Sequence, residues 1–519
     1  MKSASRAMRV ATGSTLAVLF AACHGDGSTG PGNHFTGVRA VAGANVTDTV
    51  QALQTQALVV EVRTDGGVIA QGVVVRFEAQ PPGDSTRRYE PALSVCSLSS
   101  ASCGTTYYSQ FVTDTTDSQG RAKAIIRMGT VAGKAVVKIS VPEFGMVDSV
   151  SFTVTPGAAA RVRRIAADTG LDIGATAMLR GSVTDRFGNP RSEQPTMSLG
   201  TGSAITLDAA KAMVTGAAMG TQWVYARFGE LVDSTSVRVV PAGRLLVWSP
   251  GAREVRLVNV NGNGAVLTLA KSISSDFGAF PHFDPSRTHV TMHAGTASNG
   301  GAPTNAVVVD TSTLVRRDIS TLGFTTIITV RMRDDGTVLV VGRRTGDTGY
   351  SLWRITADDG ITAVAPLPEL QATYDGADIS PNGGQVVYVA TAAVGGSEVR
   401  LLDVTTGNST VLAQNVRSPR FSPQADRVAF LVPAGYGGYD GTASVINADG
   451  SNLKSLGSYV FSPGLGWSPD GAYLIGRESS YNGGSARLRI IHLTDQASVS
   501  LRLRAPAGWD EDYYQPDWR

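Results

Sequence analysis

Charge is scarce in this chain: only 17% of its 519 residues are Asp, Glu, Lys or Arg, and the formal balance is +2. Three of the basic residues, Lys2, Arg6 and Arg9, lie in an N-terminal stretch expected to be removed, which leaves 42 basic against 43 acidic residues. No basic face can be assembled from that balance, so no nucleic-acid partner is expected. Long apolar runs are missing too. The first notable one, "VATGSTLAVLF", would span roughly 16 Å as a helix, about half a bilayer, which excludes it as an anchor helix. Catalytic signatures are equally thin: there is no nucleophile elbow, no "HExxH" and no P-loop. Cysteine is nearly absent, at three residues.

Glycine is what the chain has in quantity, 59 residues. Short alternating apolar runs stand between Gly, Asn and Asp turns, which predicts an all-β protein. The length predicts two to four domains.

The N-terminus is basic, then apolar, then ends in small residues before a cysteine: an export signal over 1–22. Phe20-Ala21-Ala22-Cys23 resembles the lipobox of bacterial lipoproteins, with Phe20 where that family usually has Leu. The resemblance implies a diacylglycerol on the Cys23 thiol and a mature chain starting there, with enough acyl chains to hold a membrane stably. His24 replaces the Asp that retains many such proteins at the inner membrane, so the outer membrane is the expected site. Residues 23–35, rich in Gly, read as a flexible tether of about 20 Å reach. Export also bears on Cys96 and Cys103. They flank a Ser-rich loop and have no nearby His to make a metal site, so a disulfide is expected.

Residues 36–157 read as strands, among them "ALVVEVRT" and "GVVVRFEAQ". Thr116-Asp117-Ser118, Gly120 and Ala122, followed by Gly129 and Gly133 before "AVVKISV", resemble the bacterial immunoglobulin-like domains of invasin-type surface proteins. Gly120 is expected at positive φ in a turn. A second unit, 158–241, carries Asp185, Gly188, Asn189 and Pro190 in a strand-then-turn pattern and resembles the same family. The resemblance implies two β-sandwiches that space or adhere.

From 242 to 519 a longer period takes over. Its anchors are "HFDPSR", "RMRDDG", "DISPNG", "RFSPQA", "GWSPDG" and the terminal "PDWR". The large apolar residues Phe283, Met332, Ile379, Phe421, Trp467 and Trp518 recur at intervals of 49, 47, 42, 46 and 51. Four strands per period is a propeller blade. Strands 244–249, 254–262 and 265–271 have no anchor strand before them, whereas "YYQPDWR" has nothing after it. The last strand is therefore expected to pair with the first three and close a six-bladed ring. These anchors resemble the propeller of the TolB family and its WD-like relatives, although the immunoglobulin-like units stand where TolB has an α/β domain.

Candidate chemistry is sparse. His289 and His293 in "HVTMH" would lie about 13 Å apart along one strand face, too far to share a metal. "DTTDSQG" (114–120) superficially suggests calcium but lacks two carboxylates. Asp510, Glu511, Asp512, Tyr513 and Tyr514 approach the last inner strand and could line a propeller mouth that takes a cation or a polar partner. Oligogalacturonate lyases resemble this propeller and imply metal-assisted chemistry, but His282, His289, His293 and His492 do not assemble into a ligand set. The expected function is that of a lipid-anchored, non-enzymatic binding or scaffold protein of the cell envelope. It would have no cofactor, and its propeller would engage a protein or glycan. The alternatives are a polysaccharide-acting propeller enzyme and a TolB-like partner of an envelope complex.

Overall fold

The computed structural model describes residues 35–83, 85–98, 103–104, 109–164, 169–271, 279–294, 303–319, 322–371, 373, 375–393, 395–434, 440–479, 487–501, 503 and 514–518. Among them there is no α-helix; the regular structure is strand, with three single turns of 3-10 helix. The chain divides into two compact units: Met1–Ala159 with Thr184–Pro190, and Ala160–Val183 with Arg191–Arg519.

In the first unit, strands Gly37–Ala42, Leu58–Arg63, Arg121–Met128 and Leu93–Cys96 form one sheet in that spatial order. Thr47–Thr49, Met146–Thr155, Gly133–Val141, Val74–Ala79 and Phe111–Thr115 form the second. Every other residue of Arg121–Met128 is buried, as a strand with one apolar face requires. Val60, Ile126, Phe77, Ile139 and Phe152 from both sheets share one core, so the unit is a β-sandwich. The expected turn is present. Gly120 has φ 71°, and a Cβ there would stand 2.8 Å from the Val62 carbonyl oxygen. Asp117 Oδ1 shapes the same turn, accepting the Gln119 and Arg121 N–H groups at 2.8 and 3.0 Å. Cys96 and Cys103 are joined by a disulfide, Cα to Cα 5.6 Å.

The segment Thr184–Pro190 carries the strand-then-turn motif and makes a buried polar knot within this unit. Asp185 Oδ1 accepts the Phe187 and Asn189 N–H groups, both at 2.9 Å. Its Oδ2 accepts the Gly157 N–H at 3.0 Å and the Asn189 amide at 2.8 Å. Burial opposes ionisation of Asp185, but these hydrogen bonds outweigh it and hold the carboxyl below its usual range.

In the second unit, Thr169–Asp172, Leu231–Val240, Gly220–Phe228 and Thr196–Leu199 form one sheet, and Thr176–Met178, Met213–Gly216 and Ile205–Asp208 another. Leu171, Val214, Val224 and Val237 pack together between them. From residue 244 the sheets are four-stranded, antiparallel and consecutive. His282–Phe283 opens one that ends at Asp318, Phe324–Met332 one that ends at Leu367, and Ala377–Ile379 one that ends at Gln414. Arg417–Phe421 and Gly466–Trp467 open the next two, which are linked through Phe461 and Glu478. The remaining sheet joins the ends of the repeat: Leu267–Ala270, Glu254–Asn259, Arg244–Ser249 and then Tyr514–Trp518. Leu245 stands opposite Trp518, and Trp248 opposite Tyr514. Trp518 is buried with Leu245 and Val247 of its own sheet and with Ile475, Leu488 and Ile490 of the preceding one. This is a β-propeller arrangement, with cores lying between successive sheets.

The turn after each anchor uses the residue types the repeat offered. Ser380, Ser422 and Ser468 each accept, through Oγ, the N–H five residues on, at 2.9, 3.1 and 2.9 Å. Asp284 does the same for His289 at 2.9 Å. Gly336, Gly383 and Gly471 take positive φ in these turns, where a side chain would be strained.

Candidate binding site in the propeller channel

Side chains alternate along an inner strand, so the residue before each apolar anchor faces the opposite way. Those residues are His282, Arg331, Asp378, Arg420, Gly466 and Asp517. All six line one cavity of about 310 Å³. Around the channel they place two cations, two carboxyl groups, an imidazole and a glycine. The glycine is required by crowding: a Cβ at Gly466 would lie 2.2 Å from the Pro516 carbonyl oxygen.

The ring is stitched from sheet to sheet. Arg331 donates to Asp378 Oδ1 from Nε at 2.9 Å and from Nη2 at 2.6 Å. Asp378 Oδ2 accepts the Phe421 N–H of the following sheet at 3.0 Å. Arg420 donates through Nη2 to Asp375, whose other oxygen accepts the Gly464 N–H at 2.9 Å. Asp517 Oδ2 accepts the Phe283 N–H at 2.8 Å, and Gln515 Oε1 accepts the Phe280 N–H at 2.8 Å, so the last strand is tied to the sheet that follows it in the ring. The Arg331–Asp378 and Arg420–Asp375 charges are tolerable at this depth because they are paired and hydrogen-bonded.

Burial governs the protonation of the ring. It lowers Arg420 to about 9, with help from the nearby Arg331 charge. It raises Asp517 above the usual carboxylate range, against the pull of Arg331. His282 is pushed well below its ordinary value by burial and by Arg331 and Arg420. His293, on the neighbouring strand, is 1% exposed and neither ring nitrogen has a hydrogen-bond partner. Burial, then Arg420 and Arg331, lower it to about 3. Its ring packs against Phe280 with centroids 5.5 Å apart. At neutral pH both histidines are uncharged.

The four histidines named from the sequence thus fall in different places. His282 and His293 are buried at the channel. His289 Nδ1 lies 3.2 Å from Asp284 in its turn, and His492 Nδ1 lies 2.8 Å from Asp495 in another. Among the described residues, no group of three or more His, Cys, Asp or Glu is placed to hold a metal ion. Asp510, Glu511, Asp512 and Tyr513 lie outside the described residues, as does Cys23; Tyr514 begins the closing strand. Of the six ring residues only His282 stands out in the sequence, and as a metal-ligand candidate rather than a ring position. The signal was available, since each immediately precedes an apolar anchor.

No protein family matches the chain, and no curated protein matches it. Solved structures that resemble it include TolB from Acinetobacter baumannii, 13% identical over 60% of this chain and 81% of that one, with a TM-score of 0.40. An oligogalacturonate lyase in complex with manganese is 16% identical over 51% of this chain and 74% of its own, at 0.34. The Cps50 (Swd1) β-propeller domain from Myceliophteria thermophila is 10% identical over 60% of this chain and 87% of its own, at 0.33.

Proposed function

We propose that this chain is a lipid-anchored envelope protein with a binding role. Its immunoglobulin-like sandwiches act as spacers, and a six-bladed propeller, closed by its last strand, engages a protein or glycan partner. The observation that carries the reading is the cavity of about 310 Å³, whose wall is a ring of charged side chains already locked by neighbouring sheets. Side chains ordered before the partner arrives lose little freedom on binding, which is what a recognition surface needs. The described lining carries four arginines, Arg287, Arg331, Arg333 and Arg420, against Asp284, Asp378 and Asp517. Burial raises the pKa of the last of these. An acidic segment of the partner is therefore favoured over a basic one.

The test is a photo-crosslinking amino acid placed at Gln424 on this cavity, in the native cell, with the same group at Lys134 of the first unit as control. A discrete adduct from position 424 and none from 134 supports the reading. Equal labelling from both positions, or no adduct from 424, contradicts it. The enzyme alternative would be revived by stoichiometric transition metal in the purified protein.

A further inference from the structure

A second cavity, of about 350 Å³, lies beyond the polar ring. Arg420 lines the first cavity and its partner Asp375 lines the second, so their ion pair stands between the two. The inner wall of the second cavity includes the residues three before the anchors: Phe280, Ser418 and Gln515. These are 4%, 3% and 6% exposed. All three are non-glycine residues with left-handed backbone, at φ 40°, 56° and 51°. Each also precedes a proline, in "FPHF", "SPRF" and "QPDW", where an extended residue is favoured. Strand register slips at the same places, between Arg417 and Arg420 and across the pairing of Tyr514–Trp518. Bulges of this kind re-aim side chains, and strained backbone gathered around one cavity points to use of that cavity.

The lining chooses the ligand. Its polar side chains include two glutamines, Gln371 and Gln515, with Thr373 and three serine hydroxyls. Amides and hydroxyls both donate and accept, which matches a molecule bearing several hydroxyl groups. The charged groups of the described lining, Arg417, Arg477, Asp375 and Asp440, already have partners within the protein, Arg477 donating to the Ser462 hydroxyl at 3.1 Å. Asp375 is already answered by Arg420 and the Gly464 N–H, and Asp440 accepts the Ser479 hydroxyl. A charge on the ligand would have to displace one of these partners. Phe280 and Val389 supply apolar surface suited to the C–H face of a sugar ring. The volume falls within the range of small-molecule sites. We propose that this second cavity binds a neutral sugar, independently of the partner assigned to the first.

Isothermal titration of the full mature chain tests this with glucose, galactose, mannose, N-acetylglucosamine, sucrose and trehalose, and with glucuronate and glucosamine as charged counterparts. At least one neutral sugar should bind saturably at millimolar concentration or below, and the charged analogues should bind at least about tenfold more weakly. Thr373→Trp fills the cavity from its rim and should remove the binding. Gln371→Ala, a trimming that leaves the packing alone, should weaken it, and it serves if the tryptophan variant does not fold. Three results would overturn the proposal: no saturation by any neutral sugar, tighter binding of glucuronate or glucosamine, or affinity unchanged in both variants.

Discussion

Replacing His293 with Leu should make the propeller markedly less acid-sensitive. The imidazole is buried, has no hydrogen-bond partner and sits at about 3 in the folded chain against an ordinary value of 6.5. A histidine whose folded pKa is depressed contributes stability that is present above pH 6.5. That stability is lost as the pH falls toward 3, because the unfolded chain gains the proton first. Between pH 7 and pH 5 the loss amounts to about 2 kcal/mol, a large part of a typical stability of about 5–15 kcal/mol. His282 titrates in the same sense but remains in the variant, so comparing the two proteins isolates His293. Urea unfolding followed by tryptophan fluorescence provides the assay, since all six tryptophans lie in the second unit. The unfolding free energy of the wild type should drop between the two pH values by about 2 kcal/mol more than that of His293→Leu. A packing cost of the leucine cancels, as it enters at both pH values. A difference below about 0.5 kcal/mol would refute the reasoning.

Three further outcomes are expected. Cys23→Ser should abolish lipidation and move the protein out of the detergent phase; partitioning equal to wild type contradicts the anchor. Cys96 and Cys103 of the exported protein should resist alkylation without reductant, and reducing their disulfide, which closes a loop of about eight residues, should cost on the order of 2.5 kcal/mol. Ready labelling of both thiols contradicts it. Asp517→Asn should stabilise the propeller as pH rises. A carboxyl whose folded pKa is raised favours the fold below its unfolded pKa and penalises it progressively through the raised value. A stability difference from wild type that does not change with pH contradicts that origin.

Much of the architecture could be read because its determinants are local. A Ser-Pro-x-Gly turn acts within five residues, as the Ser468 Oγ bond to Tyr473 N–H shows, so its recurrence marks the sheets. The Cys96–Cys103 pairing is similarly short in sequence. The channel was harder to read because its contacts are not local. Arg331 meets Asp378 across 47 residues and Arg420 meets Asp375 across 45. The ring positions also share no residue type: His, Arg, Asp, Arg, Gly and Asp occupy equivalent places. Only their position before an apolar anchor unites them. The strand-then-turn pattern of Asp185 and Asn189 was legible but its burial was not: the two are 0% and 1% exposed. Besides their local hydrogen bonds they have partners far off in sequence: the Gly157 N–H for Asp185, and the Thr130 carbonyl oxygen at 2.8 Å from Asn189 Nδ2. The "HVTMH" pair splits for a physical reason too. His289 belongs to the turn at the start of its strand, while His293 is carried inward beside Phe280.

Removing residues 514–518 tests the closed propeller most directly. The deletion takes away Trp518, worth about 3–5 kcal/mol as a buried aromatic, and the pairing of Leu245 with Trp518 and of Trp248 with Tyr514. It also strips the acceptors Asp517 and Gln515 from the Phe283 and Phe280 N–H groups. Limited proteolysis across a temperature ramp should show residues 242 onward becoming cleavable at least about 10 °C below the full-length chain, while the first unit, with its own core, stays resistant. A truncated propeller that holds to within about two degrees of the intact one would contradict closure by the last strand.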